Sequence, residues 1–217
     1  FHAVRSEKLA GWTEWKTTTG ATFKSIEAVG SRLFFTVYRN STYYIEEMGT
    51  EENTLDHAST FTIGSAGTTF TGLSNYASKT VNVRSGDYHM GTFTVTSGGV
   101  LELSSGFDTT TITVGYDYDV EVETMPVETV VTTGSLQGKP KRISKVVLGL
   151  NSALATTISN NKLTLRQVTD DLSNAPTPIT GKRDFYLLGY NKDATVSITQ
   201  SDPLPVRITG LIMEYMF

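Results

Sequence analysis

Between residues 61 and 125 the chain is punctuated by turn-forming residues at intervals of about ten, the spacing of short strands in a sandwich or barrel. The markers are Gly64-Ser65, Gly72, Ser85-Gly86-Asp87, Ser97-Gly98-Gly99 and Ser105-Gly106. Between them stand Thr80-Val81-Asn82-Val83, Phe93-Thr94-Val95, Val100-Leu101-Glu102-Leu103 and Thr111-Ile112-Thr113-Val114. Each alternates with a period of two, which buries one face of a pleated strand and leaves the other wet. No helix satisfies that period. The stretch 56–126 is therefore predicted to be a small β-barrel or β-sandwich, with no helical segment of note.

The same vocabulary extends in both directions. Leu33-Phe34-Phe35-Thr36-Val37-Tyr38, a turn at Arg39-Asn40-Ser41, and Tyr43-Tyr44-Ile45-Glu46-Glu47-Met48 predict a hairpin within an N-terminal meander over 1–55. Short strands with aromatic ends are also the pattern of one propeller blade, which cannot bury both of its faces alone. A terminal hairpin packed on the next domain is the other open reading. Glu51, Glu52 and Asn53 form a polar linker.

The stretch 127–217 reads as a C-terminal β-sandwich-like domain, with strands expected at 128–132, 142–150, 162–168, 185–188, 195–199 and 206–217. Residues 142–150 are ambiguous, because Ile143, Val146, Val147 and Leu150 also match a helical template. The density of β-branched residues and the interruption at Gly149 favour a strand. In 162–168, Leu163, Leu165 and Gln167 are expected inward. Asp202-Pro203-Leu204-Pro205 is a stiff extended lead-in to the last strand. The whole is predicted to be all-β: a propeller-blade-like hairpin followed by two small barrel or sandwich domains. The start at Phe1 rather than Met reads as a trimmed or partial product of something longer.

Composition narrows the function. The net charge is −4, whereas proteins that grip phosphate backbones carry a basic excess. A weakly acidic surface instead lets nucleic acid pass without adhering. The absence of cysteine excludes disulfides, thiolate metal sites and a cysteine nucleophile. No apolar run approaches the ~20 residues of a membrane-spanning helix.

Candidate chemistry is sparse. His2, His57 and His89 are the three histidines, and none has metal-ligand spacing to another histidine or to a carboxylate pair. Asp117 and Asp119 flank Tyr118, and Glu121 and Glu123 continue the same alternation, so one strand face is expected to carry all four carboxylates. Such a row is open to three readings: a Ca²⁺ or acid–base site, a solvated strand face, or the acidic lining of a channel. Gly64-Ser65-Ala66-Gly67 is read as a loop, but no Lys-Ser/Thr follows to make a phosphate cradle. The aromatic pairs Trp12 with Trp15 and Tyr43 with Tyr44 are candidate stacking or interface residues; at this spacing, core plus edge is the plainer reading.

Taken in order, several stretches resemble the tail nozzle family of short-tailed phages, also called tail tubular protein B. They begin with Trp12-Thr13-Glu14-Trp15, Phe23, 30–39 and 43–48, then Thr71-Gly72-Leu73-Ser74 and Lys79-Thr80-Val81-Asn82-Val83. Gly115-Tyr116, Thr124-Met125-Pro126, Gly138-Lys139-Pro140-Lys141-Arg142-Ile143, Asn151-Ser152 and Asp202-Pro203-Leu204-Pro205 complete the series. The matches keep the family's order along nearly the whole chain, although each is strand-and-turn vocabulary. Nozzle proteins are several times longer, so the resemblance implies a C-terminal portion.

It also implies a virion tail protein without enzymatic activity or cofactor. In that family six copies form a ring below the portal and its adaptor, and DNA passes through non-specifically. A ring of this kind needs two different patches on every subunit. Two alternatives stand beside it. One is a carbohydrate- or receptor-binding β module using Trp12, Trp15, Tyr43 and Tyr44. The other is a glycan-cleaving enzyme using Asp117, Asp119 or Glu121.

Overall fold

The structure, a computed structural model, describes all residues except 1, 5–8, 12, 50–53, 118, 128–129, 132–133, 136–137, 172–173 and 217. Nearly everything described is strand and turn, as the periodicity predicts, and the helical exception among the described residues is one 3-10 turn at Ser74–Tyr76. The chain divides into two compact units, 1–49 and 50–217.

The first unit contains a short ribbon of β1 (His2–Val4) and β2 (Leu9–Gly11), followed by an antiparallel meander of β3 (Thr22–Val29), β4 (Arg32–Arg39) and β5 (Thr42–Glu47). Two-residue connections set the register. Arg39 pairs with Thr42, and both Asn40 (φ 50°) and Ser41 (φ 62°) adopt the left-handed conformation of a tight hairpin turn. Lys24 is an extra residue between the pairs Phe23–Val37 and Ser25–Thr36. Such a bulge bends the strand and shifts its alternation by one residue, so that Phe23 and Ser25 fall on opposite faces.

The second unit opens with β6 (Asp56–Gly67), β7 (Thr69–Phe70), β8 (Thr80–Ser85), β9 (Tyr88–Thr94), β10 (Leu101–Glu102) and β11 (Thr109–Tyr116). Four of these form a sheet in the order β6-β11-β8-β9, and β7 pairs with β10. Val81, Val83, Ile112, Val114 and Tyr116 from the sheet meet Phe70, Leu73, Tyr76 and Leu101 in one buried cluster. The opposite face is polar. Thr60 pairs with Thr113 and Thr62 with Thr111, their hydroxyls 3.3 Å apart. Gly64-Ser65, expected as a turn, lies inside β6. The chain there bulges instead of reversing, with residues 63–66 standing opposite Thr110 alone.

The remainder comprises β12 (Val120–Glu123), β13 (Val130–Val131), β14 (Gly134–Ser135), β15 (Arg142–Ala153), β16 (Thr157–Ile158), β17 (Asn161–Lys162), β18 (Ile179–Tyr186), β19 (Ser197–Gln200) and β20 (Ile208–Met216). Sheets β18-β15-β20 and β12-β19-β16-β17 enclose a second core of Val146, Leu148, Leu150, Ile158, Phe185, Val196 and Ile198. Here β12, expected within 56–126, pairs with β19 and so belongs to the C-terminal sheet. Residues 163–168 are not a strand: Leu163 is buried, but Gln167 is exposed, because pairing ends at Lys162. Residues 142–150 do form a strand. The helix-like interval from Ile143 to Val146 arises because Ser144 is an extra residue against β20. Of the expected strand at 128–132, residues 128, 129 and 132 lie outside the described residues.

Candidate interaction surfaces

Residues that face each other across antiparallel strands point to the same side of the sheet, so the register of β3-β4-β5 assigns both of its faces. One face carries Phe23, Val37 and Tyr44 in one row and Ile26, Phe35 and Glu46 in the next. The other carries Tyr38 and Tyr43, then Ser25, Thr36 and Ile45, then Glu27, Phe34 and Glu47.

On the first face Trp15 packs against Phe35, with ring centroids 6.4 Å apart, and Phe23 lies 5.3 Å from Phe35. Trp15, Phe23, Lys24, Ser25, Ile26 and Phe35 line an open cleft of about 310 Å³. Trp15 is 52% exposed and stands over this cleft. Next to it Arg39 is buried; its Nη2 donates to Thr17 Oγ1 at 2.8 Å, and its Nε lies 3.4 Å from Glu46 Oε1. This polar core beneath aromatic residues has no motif in the sequence. The two-residue turn at Asn40–Ser41 is the signal that could have placed Arg39 and Glu46 on one face.

On the second face Tyr43 packs on Tyr38 with ring centroids 4.9 Å apart and the rings tilted by 53°, and Lys24 Nζ lies 5.6 Å from the Tyr38 ring. Ile45 is 81% exposed. Arg32 and Glu47 form a bidentate pair at the end of this face. That hydrogen bond holds the Glu47 carboxyl below its ordinary range and raises Arg32. Tyr43 and Tyr44 therefore point to opposite sides and do not make one platform. Trp12 lies outside the described residues. Val37 is the one fully buried apolar side chain in this unit among the described residues.

The acidic residues do not form one row. Asp117 and Asp119 lie in the connection between β11 and β12, where the chain leaves one sheet for another, and only Glu121 and Glu123 share a strand face. All four are exposed, and Thr195 Oγ1 donates to Glu123 at 2.8 Å. Among the described residues no three His, Asp or Glu side chains gather where a metal ion is held.

Two of the three histidines, His57 and His89, lie in the second unit. His57 stacks on Tyr116, with centroids 6.0 Å apart, and its carbonyl accepts a hydrogen bond from the Tyr76 hydroxyl. His89 Nε2 lies 2.9 Å from Asn82 Oδ1 on the polar face of the β6-β11-β8-β9 sheet. Burial lowers the His89 pKa, against Asp202 and Asp117, which raise it; Lys162 lowers it further. Close by, Arg84 Nη1 donates to Thr54 Oγ1 at 2.7 Å, and that hydroxyl donates to the Pro203 carbonyl at 2.5 Å. This junction joins the two cores of the second unit. Its residues are 149 positions apart in the case of Thr54 and Pro203, so no local pattern foretells it.

No protein-family model matches the chain, and no curated protein matches it.

Proposed function

We propose that this chain is a structural module of a short-tailed phage tail, part of the nozzle that forms an oligomeric channel for DNA ejection. The observation that carries the reading is the β3-β4-β5 sheet, which presents aromatic and aliphatic side chains on both faces. A three-stranded sheet of this kind is stable as an inner layer, with further protein on each side. The ordered resemblance to nozzle proteins supports the same assignment, as does the net charge of −4. Exposed Asp117, Asp119, Glu121 and Glu123 suit a lumen that repels phosphate, so that DNA passes without sequence-specific contact. The role assigned is mechanical: rigid pleated blocks hold a ring beneath a tail adaptor, and no chemical step is required of the chain.

Gold-labelled antibody against the chain, applied to purified virions, tests the location. Label at the tail below the portal is expected. Virions that lack the chain by mass spectrometry overturn the proposal.

One observation favours a second reading, a carbohydrate- or receptor-binding module. Trp15 lines an open cleft, the placement a stacking platform requires. The polar residues in that lining are Lys24 and Ser25, and the register puts the Ser25 side chain on the opposite face while Lys24 Nζ lies by the Tyr38 ring, a thin set for a glycan, whose hydroxyls need several convergent partners. Fluorescence titration with host oligosaccharides decides. Saturable quenching that disappears in Trp15→Ala establishes binding; unchanged fluorescence removes this reading.

A further inference from the structure

The Asp202–Pro203 peptide bond lies in the connection between β19 and β20, and its carbonyl oxygen accepts two hydrogen bonds. Gln200 Nε2 donates to it at 2.7 Å, and so does the Leu204 backbone N–H at 2.7 Å. The Gln200 amide also donates to the Leu204 carbonyl at 2.8 Å, which takes both hydrogens of its NH₂ group. Gln200 is buried at the end of β19. Beyond the bond, the Pro203 carbonyl accepts from Thr54 Oγ1, and the Pro205 carbonyl accepts from the Leu154 N–H at 2.9 Å. Both sides of the bond are therefore anchored.

We infer that this turn is a self-cleavage site, at which the chain cuts its own Asp202–Pro203 bond. Lys162 Nζ engages Asp202 Oδ2 at 2.7 Å, and the other carboxylate oxygen, Oδ1, is the nucleophile. It attacks the Asp202 carbonyl carbon and closes a five-membered cyclic anhydride. The carbonyl electron pair moves onto oxygen, where Gln200 and the Leu204 N–H meet the developing charge. As the carbonyl re-forms, the C–N bond breaks. Its electron pair stays on nitrogen, which takes a proton from solvent and leaves as the secondary amine of Pro203. Water then opens the anhydride, restoring the Asp202 side chain and leaving a new C-terminal carboxylate. One water is consumed, and no oxidant or cofactor enters. Every aspartate holds its carboxylate near its own carbonyl, so what the fold adds is the pair of oxyanion donors. The product 203–217 stays in place, because β20 is paired with β15. The step acts once, on the chain itself, and does not depend on the tail assignment.

The test incubates the purified whole chain in mildly acid buffer and follows it by denaturing intact-mass spectrometry. The same chain unfolded in urea at the same pH is the reference for the intrinsic lability of an Asp-Pro bond. Fragments 1–202 and 203–217 are expected to accumulate about tenfold or more faster from the folded chain. Hydroxylamine added during the incubation should trap the anhydride as a hydroxamate at residue 202. Asp202→Ala removes the nucleophile and should leave the chain intact. Gln200→Met keeps the volume and removes the amide donor. It should slow the folded chain by about tenfold or more, since loss of one oxyanion donor costs roughly a hundredfold or more in enzymes.

A folded chain that cleaves no faster than the unfolded one overturns the inference and leaves the turn a purely structural cap. So does cleavage that persists in Asp202→Ala, which indicates a contaminating protease, or the absence of hydroxamate. Circular dichroism confirms that the variants keep their strands. If Gln200→Met does not fold, the comparison of folded and unfolded parent chain still decides. Folded Gln200→Met cleaving at the parent rate removes the oxyanion role and with it the inference.

Discussion

Gly115 lies directly against the backbone of Asp56: a β-carbon at Gly115 would stand 2.9 Å from the Asp56 carbonyl oxygen and 2.8 Å from Leu55 Cβ. The cause is a bulge. Between the pairs Ser59–Val114 and Asp56–Tyr116, residues His57 and Ala58 both face Gly115. His57 adopts φ 54° to make the extra step. The bulged strand leans inward, and the absence of a side chain at position 115 gives it room.

Gly115→Ala is therefore expected to destabilise the second unit by about 3 kcal/mol, the upper range for overpacking against groups that cannot move aside. Gly149→Ala is the informative contrast. There the nearest obstruction is the Thr209 hydroxyl at 2.6 Å, with backbone no closer than 3.4 Å. That substitution should cost less, and adding Thr209→Ala should recover most of the loss. Urea unfolding of the three variants checks the order.

Tyr76 is completely buried, and its hydroxyl donates to the His57 carbonyl and lies 3.0 Å from Ser59 Oγ. Tyr76→Phe keeps the tilted ring contacts with His57, Phe61 and Tyr116 and removes the donor. A loss of about 1–2 kcal/mol is expected, the usual cost of leaving buried acceptors without a donor. An unchanged urea midpoint would show that the hydroxyl contributes nothing net.

The His89 junction should be acid-sensitive. Burial lowers the folded-state pKa, so the folded protein favours the neutral ring over the charged one. Stability from this group is present in full above the ordinary imidazole value of about 6.5. It is lost as pH falls through the lowered folded value, because the unfolded chain takes up the proton first. Urea midpoints recorded from neutral to acid pH should decline more steeply for the parent than for His89→Gln. Identical slopes would remove His89 from the account.

The Arg32–Glu47 pair should be visible by titration and sensitive to salt. Its hydrogen bond lowers the Glu47 carboxyl, and both groups are solvent-exposed, where ions screen the interaction. NMR titration of the Glu47 carboxyl should give a midpoint below the normal glutamate range that moves back in Arg32→Gln and in high salt. A midpoint unaffected by either change would show that the pair does not form in solution.

The helix-like spacing of Ile143, Val146, Val147 and Leu150 shows where reading a sequence meets its limit. Inward positions in β15 run Ile143, Val146, Leu148 and Leu150, because the extra residue Ser144 shifts the phase once. A bulge inserts one residue into a two-residue period, and for a few positions the result imitates three-and-four spacing. Gly149, which weighed against a helix, proves to be the strand position where the Thr209 hydroxyl approaches. The acidic stretch fails as a single row for a related reason. Alternation across 117–123 presumes one continuous strand, whereas the chain changes sheets between Tyr116 and Val120.

What the amino-acid sequence determined alone is local: the pleated period, the hairpin at Asn40–Ser41, the turn at Gly86 and the lack of any long helical segment. These follow from backbone sterics and side-chain alternation within a few residues. Tertiary structure alone decided that β12 joins β19, that Thr54 reaches Pro203, and that Tyr43 and Ile45 remain uncovered while Val37 is buried. Partner choice between strands depends on contacts dozens of residues apart. Period two states that a strand has two faces, but not which neighbour will lie against either one.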